Sequence, residues 1–401
     1  MGESFIGQDF VIVGQQPWDL ESGSNCKDIA IELSKHNRVL YVNSPLDRIT
    51  SLKNRKDPRV RKRLNLIQQR GENLTYAQKN LWVYYPDCLV ESINWISSIR
   101  LFDVLNKRNN RLFANSILQA VRNLEFKAFI LFNDNEIFKA FYLNELLKPD
   151  VSIYYSRDNM IAVPYWRKHG LRLEPTLIEK NDFCFTNSEY LTNYSKQYNS
   201  RTFNIGQGFN LEGFQNTNEP RPKDLPQDKP LIGYVGALTS SRLNIELISL
   251  IAKAFPEAYV VLVGQPDKNF VESGLFNFEN VLFLGIKRVN EVHAYIRAFD
   301  VCINPQLLND ITMGNYPRKI DEYLAFGKPT VATKTPTMVN FEGLVYLADS
   351  SSHFIELVRL ALRDSAQDIK EARIETALSH SWSNSVSKMY SIIKDNLNRQ
   401  I

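Results

Sequence analysis

The chain has 401 residues, 44% hydrophobic and 23% charged, with a formal net charge of +4. This is the composition of a globular protein long enough for two domains, and it excludes low-complexity and disulfide-stapled chains. No apolar run reaches the ~20 residues that cross a bilayer.

The start, Met1-Gly2-Glu3-Ser4, has no basic segment followed by an apolar one, so no secretory leader is expected. Four cysteines (Cys26, Cys88, Cys184, Cys302) are widely spaced, which points to reduced thiols in a cytoplasmic protein. Phe10 to Gly14 is a short β-branched run ending in glycine, expected as a buried parallel strand followed by a loop. A helix is expected from Cys26 to His36, with Ile29, Ala30 and Leu33 at helical spacing, and a strand over Arg38 to Val42. Strand, helix and strand make a βαβ unit, the start of a doubly wound sheet.

Charge then concentrates. Arg48, Lys53, Arg55, Lys56, Arg59, Arg61, Lys62 and Arg63 are opposed within the run only by Asp57. The segment reads as a loop, either simply solvated or an electrostatic foot for anionic lipid, where each cation contributes ~1 kcal/mol. No aromatics interleave with these cations, so nucleic acid is not the expected partner. Strands are expected at Leu81–Tyr85, Phe126–Phe132, Val151–Tyr155 and Phe183–Ser188, with a long helix over Ile93 to Leu124. Its apolar Trp95, Ile96, Ile99, Leu101, Phe102 and Leu105 suit core packing or membrane contact.

Gln215 to Lys229 has the composition of a linker. A second series follows, with strands at Leu231–Gly236, Tyr259–Val263, Val281–Leu284, Val301–Asn304, Pro329–Thr333 and Gly343–Leu347. The expected fold is α/β: two facing Rossmann-like domains with a cleft between them, Gly14 and Gly236 each ending a strand on a cleft wall.

The most informative stretch runs from Asn315 to Thr333. Pro317 suits a first helical turn, Gly327 the position past the helix end, and Pro329 blocks continuation. A short helix thus points its N-terminus, flanked by Arg318 and Lys319, at whatever fills the cleft. Free N–H groups, the helix dipole and two cations suit a diphosphate, and Glu322 one turn on suits a sugar hydroxyl. That combination reads as nucleotide-sugar binding.

The pattern P-x-K-x-x-E-Y-L-A-x-G-K-P-x-V-A-T resembles the donor-site segment of GT-B glycosyltransferases of group 1, family 4-like, especially bacterial polysaccharide-assembly enzymes of the teichuronic-acid and xanthan glucuronosyltransferase type. The resemblance is strongest from Leu231 to Thr333. It implies that Glu322 holds the ribose hydroxyls, that Lys319 faces the diphosphate, and that main-chain groups after Gly285 read the base. It also implies domains of 1–215 (acceptor-binding) and 216–380 (nucleotide-sugar-binding), with 381–401 a terminal helix packing back on the first. The donor set is Gly236, Arg242, Tyr316, Pro317, Arg318, Lys319 and Glu322. Many relatives carry Arg and Lys after the glycine matching Gly236; this chain offers only Arg242. Where retaining relatives carry a second glutamate, this chain has Gly314.

If the reaction inverts, a base must take the acceptor's proton as the hydroxyl attacks. Asp158 and Asp19 both follow strand ends, and the resemblance favours Asp158. Gln16 and Trp18 are expected to bind the acceptor sugar, with Asp19 shaping that pocket; each aspartate also suits a plain N-cap or turn. His169 and His293 lack partners at ligand spacing and no D-x-D pair is present, so no metal site and no cofactor is expected beyond a UDP- or GDP-linked sugar as co-substrate.

The function expected is transfer of a sugar to a saccharide or lipid-linked acceptor in glycan assembly, by a cytoplasmic protein peripheral at the inner membrane face through Arg48–Arg63. A non-catalytic GT-B partner, and an epimerase or phosphorylase of the same fold, are the alternatives.

Overall fold

The computed structural model describes residues 6–20, 24–68, 71–209, 214 and 220–397. Residues 1–5 and 215–219 of the expected linker lie outside these. Two compact units are formed, residues 1–206 with 385–401, and residues 207–384. The divisions therefore fall at Gly206/Gln207 and Asn384/Ser385, where the sequence suggested 215/216 and 380/381.

The first unit opens with β1 (Asp9–Gly14), α1 (Asn25–Ser34), β2 (Arg38–Asn43), β3 (Leu46–Asp47), α2 (Arg48–Lys53) and α3 (Pro58–Ile67). It continues with β4 (Leu74–Gln78), β5 (Leu81–Tyr84), β6 (Leu89–Val90), α4 (Ile99–Asn123) and β7 (Ile130–Asp134). Then come α5 (Leu143–Leu147), β8 (Val151–Ser156), α6 (Pro164–Lys180), β9 (Phe183–Thr186), α7 (Glu189–Ser195) and β10 (Thr202–Asn204). Its sheet has the order β10-β9-β8-β7-β1-β2-β5-β4. Every pairing is parallel except β4 with β5. Central β1 is buried along its whole length, as a β-branched strand covered on both faces must be. Val11, Val13, Leu40 and Ile117 meet on one face; Tyr154, Cys184, Leu173 and Leu177 form a second cluster further across that same face, since Val13, Asn133, Tyr154 and Cys184 are in register. The order reverses at β1, so the loops after β1, β7 and β8 diverge there and leave a crevice.

Three expectations change here. The basic run is two helices, not a loop: Asp47 caps α2 through Thr50 N–H, and Asp57 caps α3 through Arg59 N–H, with Pro58 at its first position. The long helix begins at Ile99, after Ser98 caps it, rather than at Ile93. The strand expected from Phe126 begins at Ile130.

The second unit runs β11 (Leu231–Val235), α8 (Ile245–Ala254), β12 (Tyr259–Val263), α9 (Lys268–Glu272), β13 (Val281–Gly285), α10 (Val289–Ala298) and β14 (Val301–Asn304). It continues with α11 (Asp310–Met313), α12 (Lys319–Ala325), β15 (Thr330–Thr333), β16 (Tyr346–Ala348), α13 (Ser351–Ala361) and α14 (Gln367–Ser379). The sheet order is β13-β12-β11-β14-β15-β16, all parallel, and reverses between β11 and β14. Ile232, Ile303 and Val331 face α8 and α13; Val235, Cys302 and Ala332 face Ile320, Tyr323 and Leu324 of α12.

The last helix, α15 (Trp382–Leu397), contains the second division between units. Within the first unit, its Tyr390 hydroxyl accepts a 2.6 Å bond from Asn37 Nδ2. No described helix is long and apolar enough to cross a membrane.

Candidate functional site

In the second unit, the site is built around the end of β11 and the start of α12. Tyr323 on α12 accepts the Val235 N–H through its hydroxyl at 2.9 Å, locking the two elements together. Gly236 then turns the chain at φ +138°, a conformation that L side chains rarely adopt. A Cβ at this position would stand 3.0 Å from Lys319 Nζ and 3.1 Å from the Tyr234 hydroxyl. The glycine is thus the floor on which Lys319 rests. The ammonium meets that tyrosine hydroxyl and lies 4.0 Å from the ring centroid. Burial pushes the Lys319 ammonium down to about 7; the charge of Arg242 lowers it further and Glu322 opposes the shift.

Arg318 and Glu322 form an i,i+4 pair at 3.7 Å, both about one-quarter exposed. Arg242 is exposed, and its loop is zipped to the one after β14 by Leu307 N–H to Arg242 O and Asn309 Nδ2 to Ser241 O, both 2.9 Å. Gly236, Arg242, Arg318, Lys319 and Glu322 therefore line one end of the sheet. The helix itself begins at Lys319, after Pro317 instead of at it, and spans only two turns. Its dipole is correspondingly modest, and the cations carry the anion-binding capacity. Gly327 ends it at φ +65°, as expected of the residue past a C-terminus.

Tyr316 turns elsewhere. Its hydroxyl lies 3.2 Å from Asp321 Oδ1 and 3.3 Å from His380 Nδ1, and His380 Nδ1 lies 2.7 Å from the same carboxylate oxygen. Asp321 is fully buried, and its partnership raises His380 above the ordinary histidine range. This trio ties the loop before α12 to the residue before α15. Sequence reasoning missed it because the partners are far apart in the chain. It also missed Tyr234, which reads as one more apolar strand residue.

In the first unit, the loops after β1, β7 and β8 hold the other candidates. Asn135, at φ +54°, accepts the N–H groups of both Arg157 and Asp158 at 3.0 Å. Buried Arg157 donates to Asp134 Oδ1 at 2.7 Å, to Asp158 Oδ2 and to Gln15 Oε1 at 3.3 Å. One guanidinium thus faces two carboxylates, and the cluster keeps a negative charge. Asp158 is the exposed member, at 29% against 0% for Asp134.

The Trp18 N–H donates to Asn43 Oδ1 at 2.8 Å, and its ring meets Tyr41 edge-on at 5.0 Å. Tyr41 in turn donates to Gln16 O at 2.7 Å. Asp19 faces Lys62 at 3.8 Å and Arg63 at 4.0 Å. The two histidines are structural: His169 bonds to Ile96 O at 2.8 Å and stacks on Phe102, and His293 packs between Phe214 and Phe326. Among the described residues no group of three His, Cys, Asp or Glu is placed to hold a metal.

Residues 229–364 match the family model described as glycosyl transferases group 1. A Bacillus subtilis protein assigned to teichuronic acid biosynthesis as a glycosyltransferase is 23% identical over 241 residues. That match covers 56% of this chain and 60% of the relative. Sucrose-phosphate synthase from Thermosynechococcus elongatus superposes with a TM-score of 0.69 at 14% identity, over 98% of this chain and 100% of that one. Anabaena HepE, solved with UDP, gives 0.65 at 15% identity over 97% and 100%. A UDP-forming trehalose-phosphate synthase from Burkholderia vietnamiensis gives 0.68 at 12% over 97% and 100%. The fold is GT-B, two Rossmann-like domains, as the sequence suggested.

Proposed function

We propose that this chain, whose second unit carries a glycosyl transferases group 1 domain, is a metal-independent glycosyltransferase that moves a sugar from a nucleoside diphosphate to a saccharide acceptor. The observation that carries the reading is Lys319, seated over Gly236 against the Tyr234 hydroxyl at the end of the sheet that Arg242, Arg318 and Glu322 also line, its proton affinity lowered by burial. The donor diphosphate takes Lys319, Arg318 and Arg242, and Glu322 accepts from the ribose hydroxyls. Uridine is the base we favour, since HepE was solved with UDP. As the glycosidic bond to the diphosphate breaks, negative charge grows on the leaving oxygens, and the same cations stabilise it.

The acceptor belongs to the first unit, with Trp18 and Gln16 beside it. Asp158 takes the proton of the attacking hydroxyl, since its cluster holds one cation for two carboxylates. Asp19 shapes the pocket instead of acting as base, because Lys62 and Arg63 face it. Exclusion of water around the reacting atoms would protect the donor from hydrolysis.

The acceptor is lipid-linked in this reading, and the protein works at an anionic bilayer surface. Support comes from a groove of about 490 Å³ lined by Arg55, Lys56, Arg61, Leu64, Asn65 and Gln68. Leu52 and Trp95, each 70% exposed, lie on segments joined by the Ile49 N–H bond to Ser92 Oγ. A basic groove beside exposed apolar side chains is the pattern of an interfacial contact.

A thermal-shift panel with UDP, GDP, ADP and CMP on wild type and Glu322→Ala tests the donor site. A nucleotide at a hundred times its dissociation constant stabilises by ~2.7 kcal/mol. Stabilisation of wild type by one nucleotide, lost in the variant, supports the reading. No stabilisation by any of them sinks it in favour of a non-catalytic GT-B partner.

A further inference from the structure

The basic segment has two faces, and only one of them is the surface groove. Arg55, Lys56 and Arg61 point outward. Arg63, just past the middle of α3, turns the other way and is 15% exposed. Its Nη1 reaches Ser44 O at 3.5 Å, the limit of a hydrogen bond, and its Nη2 stops 4.0 Å from Asp19 Oδ1. Its Nε has no hydrogen-bond partner among the described residues. Burial lowers its affinity for a proton, with Asp19 only partly compensating. A guanidinium taken this far from water normally sits in short bidentate bonds.

Other cations gather at the same place. Lys62 Nζ lies 3.8 Å from Asp19 and 4.0 Å from the ring centroid of buried Tyr85. Lys139 Nζ donates to Ser44 Oγ at 2.9 Å and to Pro45 O at 3.2 Å, on the same turn that Arg63 touches. Lys27 Nζ sits 5.4 Å from the centroid of Trp18. Acidic groups are near as well, and Asp28 acts on Lys27. Asp19 faces these cations, while Asp47 is committed to Thr50 and Ser92. Arg59 is held by Asp57 at 3.0 Å and is left out of the count. Arg63 and Lys62 thus face one carboxylate, Asp19, at the carboxyl ends of β1 and β2, beside the residues proposed to hold the acceptor sugar, with Lys27, bonded to Leu20 O at 2.7 Å, and Lys139 further out.

We propose that the inner face of α3 is an anion subsite of the acceptor pocket, in which Arg63 and Lys62 bind a phosphate or carboxylate carried by the acceptor. The inference rests on the transferase reading for the word acceptor, but the subsite itself does not. Arg63 supplies the bidentate fork, and Lys62 adds a mobile point charge at the rim. Asp19 holds both side chains apart until the anion replaces it as their partner. Helix α3 would then serve two purposes: its outer cations meet the bilayer and its inner ones select the acceptor.

The test is calorimetric titration of pyrophosphate, glucuronate and glucose into the protein saturated with UDP, which occupies the donor site. Wild type, Arg63→Gln and Lys62→Gln are compared. Pyrophosphate or glucuronate should bind wild type, with neutral glucose not substituting for either. Arg63→Gln should weaken the anion by roughly tenfold or more and Lys62→Gln by less, with UDP affinity unchanged. Pyrophosphate alone identifies a phosphate-bearing acceptor; glucuronate alone identifies a sugar acid. Absence of anion binding to wild type, or equal binding to a folded Arg63→Gln protein, overturns the proposal. Should Arg63→Gln fail to fold, equal binding to Lys62→Gln overturns it. If UDP itself does not bind, the donor reading fails, while the dependence of glucuronate binding on Arg63 still decides the subsite.

Discussion

In the second unit the central cation, Lys319, rests against a neutral tyrosine hydroxyl, whereas in the first unit the central cation, Arg157, is clamped between two carboxylates. The two arrangements do opposite things to stability. Lys319 is half-buried with Glu322 only partly offsetting the cost, and its proton affinity is reduced accordingly. Arg157 is already satisfied, and its proton affinity is raised by the Asp134 and Asp158 charges despite burial. One site is held open for a ligand, while the other is set in place before the ligand comes. A binding site for a mobile, highly charged donor tolerates the first arrangement, because function and stability are traded there. A site that must present a base in one orientation needs the second.

The comparison breaks most visibly if Arg157 is removed. Arg157→Met leaves Asp134 as a buried unpaired carboxylate, a change that costs about 3–5 kcal/mol. Urea unfolding should show the loss in one transition, and a loss below about 1 kcal/mol would mean that the clamp is not structural.

Lys319→Met should act in the opposite sense on the free protein. Removing a poorly solvated ammonium should raise the melting temperature of the unliganded chain by ~2–4 °C. The same variant should weaken UDP-glucose by roughly 10–100-fold, since a charge-assisted contact of 1.5–3 kcal/mol is lost. A variant that melts lower while binding normally would place Lys319 among ordinary packing residues.

The smallest effect belongs to His380. Its folded-state proton affinity is raised, first by the hydrogen bond to Asp321. The stabilisation is therefore complete below the ordinary histidine value of ~6.5 and fades as pH rises through the raised one. The ring is about one-third exposed, so solvent screening holds the effect to ~1 kcal/mol or less. His380→Gln should flatten the pH dependence of stability between pH ~6 and ~8, and an unchanged slope would deny the pair that role.

How much of this was legible in the chain differs between the units for a physical reason. The proposed donor side is built from one short segment, so Arg318, Lys319, Glu322 and Gly327 show their spacing directly. Gly236 by itself is a weak signal, since a strand ending in glycine is common in α/β chains, Gly14 included. The proposed acceptor side is assembled from loops that follow separate strands, and its contacts depend on strand order. Asp158 could be picked out as a residue at a strand end, but its clamp by Arg157 and Asp134 required the β7–β8 pairing. Charge counting along Arg48–Arg63 could not show that the run is helical or that Arg63 turns inward. The caps at Asp47 and Asp57 carry that signal, which net charge alone does not. Tyr316 misled for the converse reason: it lies within the donor motif, yet its hydroxyl is drawn inward by Asp321 and His380.

The most direct test is the dissociation constant of UDP-glucose between pH 6 and 9, measured by calorimetry on wild type and Lys319→Met. Burial pushes free Lys319 down to about 7, and a diphosphate bound beside it would favour the charged form. Wild-type affinity should therefore be flat at the acid end and fall by up to ~10-fold per pH unit above about 7, with proton uptake on binding. The variant should bind weakly at every pH, with no such slope. A wild-type affinity that does not change across this range, or a variant that matches it, would contradict the assignment of Lys319 as the cation that awaits the donor.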